Sequence, residues 1–544
     1  MTSPTDSIQV TEVSTSGTNS IDALLGGVKW GGSIGLGANI AYSFPYINGV
    51  TAVWDNTYWT SEANEPNYGA SGLTAIQQAS AQAALQQWAN VANLNFSNTQ
   101  ETATNVGDIR FAFSFSPALT DWWGYAYFPA EGEAYGGDIW INPDYSIDYE
   151  YNSWEFASYN YLALLHELGH ALGLKHPFSE AEGDTVLPAE TESRQYTVMS
   201  YTDHPHSTFL EVTEINGLYS WLPVDIQPEA PMLYDIAVMQ YLYGANMNYN
   251  TGDDTYAFNP NTPFFMTIWD AGGTDTLSAS NFSKDCIIDL QAGNFSKITI
   301  ESDPLPLNAH SDTPATYDGT DNLAIAYGVT IENATGGSGD DSLIGNSANN
   351  ILTGGAGDDT LNGQTGIDTA VYSGNRSACT IIKTDTGFTV SGGNNGTDTL
   401  TGIERMQFAD TNLAFDLDGA AGDAALIIGA AFGKPYLNLA PAYVGAGITL
   451  FDAGMSMGQV AELALDSDLF LQLAGSRDNT AVVTQLYRSV TGVVAPSVSD
   501  LNTFEGWLTG GMSQAELLVY AANSATNTQN INLTELAQTG LAFT

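Results

Sequence analysis

The chain predicts an α+β domain followed by a parallel β-roll and a C-terminal α-helical domain. Three observations carry this expectation. The run His166-Glu167-Leu168-Gly169-His170-Ala171-Leu172-Gly173-Leu174-Lys175-His176 gathers three of the six histidines of a 544-residue protein. From Gly336 the sequence repeats with a period of nine residues. After Asp416 the composition turns to Ala, Leu and Gly with helical periodicity.

The stretch before the histidine run, Ser158 to Leu165, is apolar and lacks Pro and Gly, so it reads as a helix running into the run. On that helix His166 and His170 lie one turn apart on one face, and both imidazoles reach one ion. Gly173 tolerates positive φ, which ends the helix and turns the chain so that His176 supplies a third nitrogen. Pro177 prevents the helix from resuming. The spacing H-E-x-x-H-x-x-G-x-x-H builds a Zn²⁺ site with an open coordination position. Three imidazoles leave one tetrahedral position for water. Glu167 is adjacent to His166 yet outside that inner sphere, where it serves as general base and then as proton donor. Peptide hydrolysis is the expected chemistry.

His176-Pro177 together with the downstream Val198-Met199-Ser200-Tyr201 resembles the metzincins, and among them the serralysins. The resemblance implies a zincin fold for the first domain. It places Met199 as an apolar floor beneath the imidazoles. It makes Tyr201 a displaceable further zinc ligand whose hydroxyl assists the oxyanion. The likeness runs from about residue 20 to about 375. Within it, Ile21 to Trp30 and Ile40 to Pro45 resemble the opening of such a domain, Gln77 to Val91 reads as an amphipathic helix and Ile109 to Phe113 as a strand. Gly136 to Ile141 sits where serralysins have strand and rim segments beside the cleft, and Leu233 to Ala245 resembles the closing helix. His204 and His206, just beyond Tyr201, read as solvent-exposed loop histidines.

The formal net charge is −49, from 61 acidic and 12 basic residues. Binding nucleic acid needs basic surface, so nucleic acid is excluded as an expected partner. A hydrophobic content of 43%, with 11% aromatic, argues for packed cores rather than disorder. Many carboxylates are therefore expected to neutralise bound cations. Cys286 and Cys379 read as two buried thiols. No 18-residue apolar run suggests a membrane span. Residues 1–20 lack the charged and apolar regions of a Sec signal peptide and read as a flexible, propeptide-like segment.

The units Gly336–Ile344 and Gly354–Asn362 fit the G-G-x-G-x-D-x-U-x nonapeptide that binds Ca²⁺ in RTX proteins, and Gly345–Thr353 and Gly363–Val371 keep the phase. Turn positions Gly337, Gly339, Gly354, Gly355, Ala356, Gly357 and Asp358, with Asp341 and Asp359, offer the hard oxygens calcium prefers. Leu343, Leu352, Leu361 and Ala370 are expected to point inward. Asn350 and Ile367 weaken the pattern on the second side of the roll. A partial unit, Asp270 to Leu277, supplies Asp270, Gly272, Gly273 and Asp275, and the serralysin resemblance adds Thr330 and Glu332 as calcium ligands. Gly396 to Leu400 is a further partial unit.

In the last segment Gly454-Met455-Ser456 recurs as Gly511-Met512-Ser513 and Ser467 as Ser524, a spacing of 57 residues. The earlier pair, Ala430-Ala431-Phe432-Gly433 and Ser489-Val490-Thr491-Gly492, is two residues out of phase. Two related helical units result. Leu541-Ala542-Phe543-Thr544 is a short apolar tail of the kind that suits a C-terminal export signal. The expected organisation is a flexible segment over 1–20, a metzincin protease over 21–248, a calcium-binding roll over 249–415 and a helical domain over 416–544. Protein or peptide substrates, type I secretion machinery and extracellular bacterial localisation follow as expectations, with a cell-surface or surface-layer partner for the helical domain. The rival reading is a calcium-folded, surface-associated structural or adhesive protein whose protease domain acts narrowly on itself or on one surface-layer partner.

Overall fold

The computed structural model describes residues 8–47, 52–61, 63–102, 104–147, 153–178, 183–307 and 309–544. The chain divides into two compact units, Met1–Ile331 and Glu332–Thr544. The expected roll over 249–415 straddles that division.

In the first unit, β1 (Val10–Glu12) pairs antiparallel with β2 (Val28–Trp30). A five-stranded sheet follows, made of β3 (Ala38–Ser43), β4 (Leu94–Asn98), β5 (Ile109–Phe113), β6 (Gly124–Ala126) and β7 (Asp138–Ile141). Its order is β4-β3-β5-β7-β6, with β6 alone antiparallel. Every residue of β5 and β7 is buried, as expected for inner strands of a largely parallel sheet. The helix Ala75–Val91 starts at a capping box between Thr74 and Gln77 and buries Ala81, Ala84, Leu85, Trp88 and Val91, one face at helical spacing. That face packs on the helix Tyr159–Ala171, where the Trp88 indole donates to the Leu165 carbonyl at 3.3 Å. Arg110, on β5, is fully buried. It forms a fork with Glu101 at 2.8 and 2.9 Å and lies 3.8 Å from the centre of the Trp54 ring.

Two expectations change here. The flexible segment expected over 1–20 is tied down from Gln9 onward: Gly31 donates to the Gln9 carbonyl, β1 zips to β2, and Tyr241 donates to the Ser14 carbonyl at 2.9 Å. Residues 1–7 of that segment lie outside the described residues. Of the strand and rim expected over Gly136–Ile141, Asp138–Ile141 is the strand, and it is an inner one, because β6 adds to its far side and becomes the edge. A hairpin of β8 (Thr208–Ile215) and β9 (Leu218–Asp225) turns at Asn216-Gly217, both at positive φ, the favoured chemistry for a two-residue turn.

The second unit opens as a roll of two sheets. In one, Asn333–Thr335, Ile351–Thr353, Thr369–Val371 and Arg405–Gln407 run parallel. In the other, Ser342–Ile344, Thr360–Asn362 and Thr397–Thr401 do so. Ala334, Leu352, Ala370 and Met406 stack in register, as do Leu343, Leu361 and Leu400, and all seven are buried. The chain's apolar tail is an edge strand: Leu541–Phe543 pairs antiparallel with Asn412–Ala414.

The helices between show an element-by-element duplication. Pro441–Asp452 corresponds to Val498–Thr509 and Asp468–Ala474 to Ala525–Ile531, each 57 residues apart at both ends. Met457–Asp466 corresponds to Gln514–Ala522, starting 57 residues apart. The leading helices Ala420–Phe432 and Asn479–Thr491 are 59 apart. Ser456 and Ser513 both form capping boxes, with Gln459 and Glu516, and Ser467 and Ser524 both cap the helix that follows. No helix among the described residues is long and apolar enough to cross a membrane. Cys286 and Cys379 are both buried, and neither is in a disulfide.

Leu541 is fully buried, whereas Leu439 is 73% exposed. Leu541→Ala is expected to cost about 2–4 kcal/mol. Urea unfolding of the calcium-loaded chain reads this as a lower midpoint, with Leu439→Ala within about 0.5 kcal/mol of the parent.

Candidate metal centres

The helix Tyr159–Ala171 begins at Ser158, whose hydroxyl accepts from the Tyr161 amide, and buries His166, Glu167 and His170. It stops where Leu174 donates back to the Gly169 carbonyl at 2.9 Å. Gly173 has φ +105°, and a Cβ there would lie 2.2 Å from the Val28 carbonyl oxygen. Only glycine makes this bend against β2, and the bend delivers His176. The three Nε2 atoms of His166, His170 and His176 form a triangle with 3.1 Å sides. A point about 2.0–2.1 Å from all three, the Zn–N distance, lies about 1 Å off their plane. The outward nitrogens are fixed: His166 Nδ1 is 2.8 Å from the Val198 carbonyl and His170 Nδ1 is 2.7 Å from the Leu174 carbonyl. These bonds direct both Nε2 lone pairs inward. Burial, and then the neighbouring imidazoles, push His166 well below the usual histidine range. Burial followed by His176 takes His170 to about 3. Both are held neutral, the ligating form, so the donor set fits zinc.

Glu167 is pushed up to about 8 by burial, against one backbone hydrogen bond from Ala126 of β6. Its Oε2 is buried with no partner among the described residues. Met199 is fully buried, and a Cβ on Gly169 would lie 2.4 Å from its sulfur. Methionine thus lies directly against the turn that joins the two helical histidines. Tyr201 is 48% exposed, and its ring stacks on His166 at 5.5 Å and meets His176 at 4.7 Å. Phe178 stacks on His176 at 4.9 Å. His204 corrects the expectation of an exposed loop residue. It is 3% exposed and lies 3.9 Å from the Phe265 ring, and burial brings it to about 4.

Asp235 went unrecognised as a support. Its buried carboxylate accepts from the Thr197 hydroxyl at 2.6 Å, the Val198 amide at 2.7 Å and the Met232 amide at 2.9 Å. The first two anchor the segment that carries Met199.

In the first unit the acidic cluster brought together is Asp254, Asp270 and Asp275. Asp254 was not among the expected ligands. Gly272 donates to Asp270 Oδ1 at 2.8 Å, and Gly273 packs so closely that a Cβ would lie 2.0 Å from the Gly252 carbonyl oxygen. Thr330 is exposed, and Glu332 lies in the second unit.

In the roll, Asp359 and Asp398 each receive the amide of the residue one coil earlier. Asp341 donates to Asp359 Oδ1 at 2.9 Å, and Asp359 to Asp398 Oδ1 at 3.1 Å. The Gly337 amide donates to Asp341 Oδ2 at 2.6 Å, and the Ala356 amide to the Gly337 carbonyl at 3.0 Å. Gly339 is buried, and Gly355 and Gly357 stand at positive φ in the next turn. Gly354 lies so near Asp359 that a Cβ would meet its Oδ2 at 2.2 Å. Asp358 is exposed and accepts from the Thr397 amide at 2.7 Å. The second side carries a thinner ladder: Asn350 donates to Asp368 Oδ1 at 2.7 Å, and Asp368 to Glu404 Oε2 at 2.9 Å. Asp359 Oδ2 and Asp368 Oδ2 are buried without partners among the described residues. Orphaned buried carboxylate oxygens fit a hard cation.

With this geometry in view, residues 56–198 match the family model described as matrixin. Residues 234–301 match the peptidase M10 serralysin C-terminal model, and residues 335–370 the RTX calcium-binding nonapeptide repeat in four copies. The chain carries a matrixin domain and RTX calcium-binding repeats. Its relatives include a serralysin of Proteus mirabilis, 34% identical over 358 residues, which are 59% of this chain and 63% of that protein. A serralysin of Photorhabdus luminescens is 36% identical over 301 residues, 52% of this chain and 55% of that protein. Serralysin B of Dickeya chrysanthemi is 34% identical over 340 residues, 58% of this chain and 60% of that protein. The chain thus spans 55–63% of the length of these relatives.

Burial holds Asp359 and Asp368 at about 7 and Asp398 at about 6 when no cation is bound. A carboxyl raised in the folded state favours folding fully only below its unfolded value of about 3.9, and that contribution is lost as pH rises through about 6–7. Calcium-free protein is therefore expected to unfold at a lower temperature at about pH 8 than at about pH 5, and calcium to abolish that fall. Calcium-free protein that is more stable at the higher pH contradicts the assignment.

Proposed function

We propose that the chain is an exported bacterial endopeptidase that uses zinc for chemistry and calcium for folding. The observation that carries this reading is the 3.1 Å triangle of imidazole nitrogens beside a buried, unpartnered glutamate oxygen. The serralysin relatives and the matrixin match support it. His166, His170 and His176 hold the metal. When bound, zinc polarises a substrate carbonyl and brings the pKa of water down to about 7.

The rest falls to the chain's own side chains. Glu167 takes a proton from the attacking water on Oε2 and passes it to the leaving nitrogen. Its raised basicity suits that exchange near neutral pH. Tyr201, exposed over His166, donates its hydroxyl to the oxygen on which negative charge develops. Met199 supports the histidines from below. An extended substrate pairs with the edge strand β6, which has β7 on one side and no strand on the other among the described residues.

Export before folding fits the roll. Its buried carboxylates disfavour the folded state until calcium binds, so the chain crosses a type I secretion channel unfolded and folds in a calcium-rich exterior.

Glu167→Gln is expected to lower kcat/KM on a protein substrate by about 10²–10⁴-fold with zinc content unchanged. Tyr201→Phe is expected to lower kcat by about 10²–10³-fold. Retention of activity within tenfold in Glu167→Gln, or cleavage confined to the chain's own N-terminus, rejects the general endopeptidase.

A further inference from the structure

Beside His166 and Glu167 opens a cavity of about 300 Å³. Its walls are aromatic: Trp122, Trp123, Tyr145 and Tyr159. Among the described residues one cation lines it. The Arg194 side chain is only 11% exposed, and its hydrogen bonds leave one nitrogen over. Nε donates to the Ser200 carbonyl at 3.3 Å; Nη1 donates to Gln227 at 3.2 Å and to the Asp203 carboxylate. Among the described residues Nη2 has no acceptor. On a mostly buried side chain that lines the cavity, such a donor is available to an acceptor on whatever enters.

The charge of the site selects which acceptor. Arg194 is already neutralised by Asp203, a second carboxylate, Asp121, lines the cavity and is exposed, and the chain carries −49 overall. An anionic side chain gains little there. A flat ring with a neutral oxygen at its tip gains from both the walls and Nη2. We propose that this cavity selects tyrosine at a position flanking the scissile bond, with Arg194 Nη2 donating to the phenolic oxygen. The proposal deepens the endopeptidase reading and rests on it for the word scissile.

The test uses zinc- and calcium-loaded full-length protein and a peptide series that differs only in having Tyr, Phe or Glu at the residues flanking the cleaved bond. Tyr is expected to exceed Phe by about tenfold in kcat/KM, and Glu to fall below both. Arg194→Met is expected to bring the Tyr/Phe ratio to about one, a readout that a general loss of activity or of folded protein does not move. Trp122→Ala is expected to weaken both peptides and keep the ratio. A wild-type ratio within twofold, a ratio that survives Arg194→Met, or a preference for Glu overturns the proposal. Calorimetric binding of the Tyr and Phe peptides to Glu167→Gln separates the two readings. Tyr-selective binding without cleavage by wild type sinks the endopeptidase and keeps the pocket; cleavage with no discrimination in binding or rate sinks the pocket alone.

Discussion

The metal centre depends on how closely the helix Tyr159–Ala171 approaches the segment Thr197–Met199. A single buried carboxylate sets that approach. Asp235 holds the Thr197 hydroxyl and the Val198 amide, and the Val198 carbonyl in turn fixes His166 Nδ1 at 2.8 Å. Burial raises Asp235 to about 7 despite its three hydrogen bonds. The clamp thus couples the ring orientation of a metal ligand to the helix Leu233–Tyr243, about seventy residues further along the chain. Gly169 completes the fit, since any side chain there would collide with the Met199 sulfur.

What the sequence shows of this centre follows from range. His166 and His170 lie one helical turn apart, and Gly173 and Pro177 bracket the bend; each is a local rule, and the structure keeps each of them. The acidic partner that escaped notice is non-local: Asp254 meets Asp275 across 21 residues, outside any repeat unit. Asp398 is legible in the partial unit Gly396 to Leu400, but its meeting with Asp359 across 39 residues is not, because the strand pair Cys379–Lys383 and Gly387–Gly392 is inserted between two coils and breaks the nine-residue period. His204 fails for the same reason: a loop histidine is exposed unless a distant ring covers it, and Phe265 does.

The two-residue phase slip in the helical repeat has a simple physical source. Between the first and second helices the earlier module has the linker 433–440 and the later one 492–497, so the earlier linker is longer by the two residues that separate offsets of 59 and 57. The earlier linker folds a short helix, Tyr436–Leu439, into that length. Loop length is cheap to change, and helix packing is not. The slip falls where chain entropy tolerates it, while the capping serines keep their places on both copies.

Charge links the two metal chemistries. In the zinc centre burial strips protons from imidazoles and so prepares soft, neutral donors for a cation. In the roll burial does the opposite to carboxylates. It drives protons onto Asp359, Asp368 and Asp398, so the cation-free fold is at odds with its own ligands at neutral pH. The first centre is assembled by a folded helix and a bend, whereas the second leaves carboxylate oxygens buried without a partner among the described residues. In a chain of net charge −49 the ladder of amide-to-carboxylate bonds joins one coil to the next and leaves Asp359 Oδ2 and Asp368 Oδ2 as the oxygens a cation would take up.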